Sequence, residues 1–166
     1  MLGKDADAGL RELSKGLDAF ESARVELFAP LSLCQSAEAH LRNGRPDLAQ
    51  QANDRALGYV QRNAETFYEA EIHRVNGEIA LVAKADKSAR ESAAEAHFLK
   101  AIEIAQQQKA KFWELRATLS LARLWAQQDK HVEARQRLAP VYEWFTEGFD
   151  TPDLQDAVTL LADLAP

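Results

Sequence analysis

Ala94-Glu95-Ala96-His97-Phe98-Leu99-Lys100-Ala101 sets a bulky ring between two alanines, and the same small-large-small spacing recurs along the chain. Gly9, Leu13 and Gly16 repeat it, as do Ala49, Asn53 and Ala56, and then Ala134, Leu138 and Val141. The heads at 9, 49, 94 and 134 lie 40, 45 and 40 residues apart. Positions i, i+4 and i+7 share one face of a helix. A period of this size with no strand signal between repeats predicts stacked helical hairpins, an all-α solenoid.

Around these seams, eight segments carry apolar residues at three- and four-residue spacing: 7–23, 27–43, 46–62, 67–84, 88–108, 112–128, 131–145 and 153–164. Alternating runs of Val, Ile and Thr are absent, so no sheet is expected. In Asn43-Gly44-Arg45-Pro46-Asp47 the glycine tolerates positive φ after one helix and the proline suits the first turn of the next. In Asp150-Thr151-Pro152-Asp153, Thr151 is placed to cap, Pro152 to open the helix and Asp153 to meet the positive end of its dipole. Lys84–Ser92 is a polar insertion that lengthens one interval to 45, read as a solvated turn plus an extra helical turn. Pro140 removes one backbone donor inside the seventh segment, so a kink is expected there.

Taken in pairs, the segments give hairpins over 27–62, 67–108 and 112–145, all within a single domain of 166 residues. The segment 7–23 reads as a second helix lacking its partner, a half repeat whose outer face is a raw edge. Segment 153–164 reads as a capping helix, with Asp153, Asp156 and Asp163 on one side and Leu154, Val158, Leu161 and Leu164 on the other. A net charge of −6 argues against holding nucleic acid by phosphate neutralisation. No run of eighteen apolar residues suggests a membrane span, and a single cysteine fits a reduced, cytoplasmic setting.

The small-residue positions resemble those of the tetratricopeptide repeat. Ala37, His40, Gly44, Ala49, Asn53 and Ala56 match its consensus places, as do Gly77, Ala80, Ala94, Phe98 and Ala101, and Ala122, Trp125, Asp129, Ala134, Leu138 and Val141. The stretches Phe67–Glu78, Ala94–Ala105, Trp113–Trp125 and Val141–Thr151 are similar to one such array in particular. It is the C-terminal region of bacterial regulators that join a nucleotide cyclase or a winged-helix DNA-binding domain to a signal-transduction ATPase and then to these repeats. Neither of those other domains is among these 166 residues, so the resemblance implies a sensory or partner-binding part.

Catalytic signatures are absent. There is no Gly-x-x-x-x-Gly-Lys-Ser/Thr loop, no Gly-x-Ser-x-Gly and no His-Glu-x-x-His. No enzymatic activity, cofactor or metal is expected. Cys34 reads as a packed thiol. His40, His73, His97 and His131 fall on four different segments, too scattered for the three or four ligands a metal site needs. Tyr142, Trp144, Phe145 and Phe149 read as an apolar seal between the last hairpin and the cap.

In the arrays it resembles, the first helices of successive pairs line a groove. Carried onto 27–43, 67–84 and 112–128, those positions are Glu38 and Arg42, then Glu71, Arg74 and Glu78, then Arg116, Arg123 and Gln127. Arg74, Arg116 and Arg123 are suited to gripping a carboxylate or acidic peptide. The plainer alternative is that Glu71, Arg74 and Glu78 pair with one another along one helix. The expected partner is a protein or peptide, an ATPase or cyclase domain of the same regulator being one candidate, with no nucleic acid or membrane contacted. Two alternatives stand beside it: a fragment labelled with a cyclase regulator's activity, and a free-standing scaffold that forms a homodimer through the N-terminal edge.

Overall fold

Among the described residues, eight α-helices account for the regular structure: α1 Leu2–Ser22, α2 Ala29–Arg42, α3 Pro46–Asn63, α4 Glu69–Leu81, α5 Lys87–Gln107, α6 Lys111–Gln127, α7 His131–Tyr142 and α8 Pro152–Asp163. The computed structural model describes residues 2–22, 28–63 and 66–165, and no strand occurs among them. The expected helix ends at 23 and 27 lie outside the described residues. The fourth and seventh helices stop three residues short of expectation. At each end the backbone tightens into a turn, with Val82 N–H donating to the Ile79 carbonyl and Phe145 N–H to that of Tyr142.

Consecutive helices α2 and α3, α4 and α5, and α6 and α7 pack as hairpins. Each of α2, α4, α6 and α8 also packs against the next of that set, so these four make one layer. Among the described residues, helices α1, α3, α5 and α7 pack only against their neighbours in sequence. This is a helical repeat-like arrangement, and its core is built in successive segments.

The seams quoted above are where the hairpins close. Ala49, Ala56, Ala94, Ala101 and Ala134 are fully buried, with Phe98 and Leu138 buried between them. Asn53 takes the corresponding place in α3. The first seam differs, since a Cβ at Gly9 or at Gly16 would meet nothing within 4 Å. Among the described residues, these two glycines of α1 therefore close no contact.

Turn chemistry repeats as well. Gly44 has φ 66°, and Asp129, at the same point of the α6–α7 hairpin, has φ 60°. In the first turn Arg45 N–H donates to the His40 carbonyl and Gly44 N–H to that of Leu41. In the second, Lys130 N–H donates to Trp125 and Asp129 N–H to Ala126, the same pair of bonds that satisfies the last carbonyls of a helix. The polar insertion forms an exposed turn over 82–86, and Asp86 caps α5 by accepting from Ala89 N–H at 3.0 Å. Thr151 stands at the N-cap of α8 but does not cap it, because its hydroxyl donates instead to the Gly148 carbonyl at 2.7 Å. Helix α7 runs unbroken through Pro140 and ends two residues later.

The cap presents a different face from the one expected. Leu154, Ala157, Leu161 and Leu164 are buried, whereas Val158 is exposed. The turn from α7 also splits the aromatic group. Tyr142 and Phe145 pack against the α6–α8 core, while Trp144 and Phe149 remain largely exposed. A three-residue step from Leu154 selects Ala157, which leaves Asp153 and Asp156 within ion-pair reach of Arg116 and Arg123 on α6.

Candidate functional site

The layer of α2, α4, α6 and α8 carries a connected set of ion pairs. Its centre is Arg74, 95% buried, whose guanidinium forms a two-pronged bond with Glu71: Nε to Oε2 at 2.9 Å and Nη2 to Oε1 at 2.8 Å. The same guanidinium bonds Glu38 of α2 and, through Nη1, Glu78 at 3.3 Å. Burial alone would depress its pKa, but Glu71, Glu38 and Glu78 more than offset this and hold it above the ordinary arginine value.

Arg116, one helix further along, extends the set. Its Nη2 lies 3.1 Å from Glu38 Oε1 and 3.0 Å from Glu71 Oε1, and its Nη1 lies 3.4 Å from Asp153 of α8. Ser120 donates to Glu78 at 2.6 Å. Near the other end of α6, Arg123 pairs with Asp156 at 2.6 Å in a solvent-exposed bridge. Arg42 and Gln127, both exposed, make no ion pair or hydrogen bond with this set among the described residues.

Six of the eight groove residues read from the sequence therefore carry the ion pairs on this layer, and both alternatives for them need revision. Glu71, Arg74 and Glu78 do pair with one another along α4, but Glu71 and Arg74 are buried and also pair across helices, with Arg116 and Glu38. Arg74, Arg116 and Arg123 are each committed to carboxylates of this chain, so the arrangement does not present them to an acidic ligand.

Beneath the ion pairs lies a polar floor that the sequence does not flag. Cys34, almost fully buried, sits 3.8 Å from Asn53 Oδ1, and Asn53 Nδ2 donates to the Ile72 carbonyl at 2.9 Å and to Asn76 Oδ1 at 2.8 Å. A buried amide that pairs with a neighbouring helix's backbone fixes the register of α3 on α4. Burial, followed by the Glu71 charge, pushes the Cys34 thiol pKa well above its usual range, the opposite of what a nucleophile needs.

A cavity of about 270 Å³ opens beside the ion pairs, lined by Leu31 and Glu38 of α2, Glu71 of α4, and Phe112, Trp113 and Arg116 of α6, among others. Asp153, Ser120, Phe112 and Trp113 were not among the residues read as groove-lining. The one legible signal was complementary charge: Arg116 and Arg123 lie on one face of α6, and Asp153 and Asp156 on one face of α8. A larger cavity of about 510 Å³ lies between α1, α2 and α3, floored by Leu13, Leu17 and Leu33. It follows from α1 packing on α2 without reaching α3.

The histidines are less scattered than their sequence positions suggest. His73 of α4 and His97 of α5 stand with ring centres 6.0 Å apart. Burial, and for His73 also the neighbouring His97, lowers both pKa values from the ordinary histidine range. Among the described residues no three His, Cys, Asp or Glu side chains gather in a way that would hold a metal ion. Among those residues, too, no helix is long and apolar enough to cross a membrane. Set against protein-family models, curated proteins and solved structures, the chain matches none of them.

Proposed function

We propose that this chain is a tetratricopeptide-like module that binds a protein or peptide segment on the layer of α2, α4, α6 and α8. On this reading it has no catalysis of its own and serves as the regulatory part of a bacterial signalling protein. The observation that carries the reading is the convergence of Glu38, Glu71, Arg74, Arg116 and Asp153 from four helices onto one layer, beside a cavity with aromatic walls. Neighbouring units in such a stack touch only each other, so small rotations induced by a ligand add along the array. The link to an ATPase or cyclase domain rests on the sequence resemblance alone.

Selection of binders from a random peptide library on the purified chain tests the proposal. Selected peptides should lose affinity in Glu38→Ala and keep it in Glu103→Ala, a change on the exposed side of α5. Failure to recover any binder, or binders indifferent to Glu38 and sensitive to Glu103, would overturn it.

A second reading, homodimerisation through α1, is favoured by one observation: the seam at Gly9 and Gly16 meets no neighbour. Sedimentation equilibrium tests it, since a mass of 18.5 kDa at high concentration would exclude the dimer.

A further inference from the structure

The charges on this layer do not balance. Glu38, Glu71, Glu78 and Asp153 contribute four carboxylates to the connected set, and Arg74 and Arg116 contribute two guanidinium groups. The set thus carries a formal surplus of two negative charges. Exposed surface pairs cost little when mismatched, but this surplus sits on a partly buried layer where each charge is poorly screened.

The distribution of the bonds shows where the surplus is felt. Glu38 receives both arginines on one oxygen, Oε1, which leaves Oε2 as an acceptor. Its side chain is 23% exposed, whereas that of Glu71 is 3% exposed. Of the two carboxylates that line the 270 Å³ cavity, Glu38 is therefore the one a ligand can reach. Arg116 Nε has no partner, but it is sealed from the surface and is not a site for an anion.

The aromatic part of the same lining suits a cation as well. Phe112 is exposed and stands 5.2 Å from Trp113, and exposed Phe67 reaches the other side of Trp113 at 6.3 Å between ring centres. The guanidinium of Arg116 already lies 6.0 Å from the Phe112 ring, within the range at which an aromatic face attracts a cation. A cavity lined by a reachable carboxylate and by aromatic rings matches the two halves of an arginine or lysine side chain, charged head and apolar stem.

We infer that the cavity between Glu38 and Phe112–Trp113 seats the cationic side chain of an arginine or lysine in a basic peptide segment, with the segment's apolar neighbours resting on Phe67 and Phe112. This rests on the reading of the layer as a peptide-binding surface and assigns the chemistry of its ligand. It reverses the expectation of an acidic ligand drawn from the arginines alone. A basic segment restores charge balance, whereas an acidic one adds to the surplus and finds each guanidinium engaged.

The test uses three capped pentapeptides, acetyl-Ala-Leu-X-Leu-Ala-amide, with X as arginine, as its neutral isostere citrulline, or as glutamate. Binding is followed by NMR at the Trp113 indole N–H, assigned with Trp113→Phe. The arginine peptide should shift this resonance, and citrulline should bind about tenfold more weakly. Glu38→Gln should remove most of that difference. If Glu38→Gln does not fold, as judged by circular dichroism, Phe112→Ala at an exposed position should weaken the arginine peptide several-fold. Equal or tighter binding of the citrulline or glutamate peptide would overturn the assignment. So would an unmoved Trp113 signal at about 1 mM arginine peptide. If library-selected peptides bind while the arginine peptide does not, the cation assignment alone fails; if no peptide binds, the peptide-binding reading fails with it.

Discussion

Gly77 lies directly against the ring of Phe98: a Cβ built on it would fall 2.6 Å from Cδ1 and 2.9 Å from Cζ, and closer still to Cε1. Helix α4 can approach α5 at this depth because residue 77 has no side chain. Phe98 is fully buried and has no free volume to turn into. Gly77→Ala should therefore destabilise the fold by about 1–3 kcal/mol, the cost of overpacking exceeding the gain in helix propensity. Urea denaturation measures it, and Gly77→Ala with Phe98→Leu should recover part of the loss. An unchanged or raised midpoint for Gly77→Ala would contradict the contact.

Arg74 and Glu71 are both buried, so removing one leaves the other without its main partner. Arg74→Met should cost about 3–5 kcal/mol, since the buried Glu71 carboxylate loses its two-pronged partner and keeps only the Arg116 ion pair. The double change Arg74→Met with Glu71→Met should cost less than the single one, by about 1 kcal/mol or more. If the two single effects simply add, the pair is not coupled as its geometry requires. Asp156→Ala breaks the exposed bridge to Arg123 and should cost no more than about 1 kcal/mol.

His73 and His97 introduce a pH dependence whose direction is fixed. Both pKa values are lowered in the folded chain, first by burial, with Lys100 adding to the effect at His73 and Glu69 opposing it. The unfolded chain then binds protons more readily than the folded one. Stability contributed by the neutral pair is present above the ordinary histidine value of 6.5 and is lost as pH falls below it through the folded values. Thermal unfolding across this window should show a positive slope of stability with pH that flattens in His97→Gln. A slope unchanged by that substitution would place its origin elsewhere.

Cys34 reports on the opening of the ion-paired layer. Its thiol is 1% exposed and held protonated by burial. Native protein should react with a thiol reagent roughly a thousandfold or more slowly than unfolded protein, corresponding to an opening free energy of about 4 kcal/mol or more. Rapid labelling of the native chain would show that the layer opens easily.

Asp129 occupies a left-handed conformation that glycine adopts without cost. Its side chain is fully exposed and its ion pair with His131 is long at 3.9 Å. Asp129→Gly should raise stability by about 0.5–1 kcal/mol, as Gly44 already does at the matching turn. A lower melting temperature would indicate a role for the carboxylate that the turn geometry does not explain.

The residues themselves determined the number of helices, most of their boundaries and their pairing into hairpins. Each of those properties is local: apolar spacing within one helix, a glycine or proline at its end, two alanines seven residues apart. They also placed Glu38, Glu71, Arg74, Glu78, Arg116 and Arg123 on the helices that share a layer. Tertiary structure alone decided which charges meet. The Arg74–Glu38 and Arg116–Glu38 bonds span 36 and 78 residues, and they depend on the relative rotation of helices that no local pattern encodes. The same rotation set Ala157 in place of Val158 against the core, turned Asp153 toward Arg116 and brought His73 beside His97. Periodicity names the face a helix buries, but the angle at which two faces meet comes from how their side chains interlock.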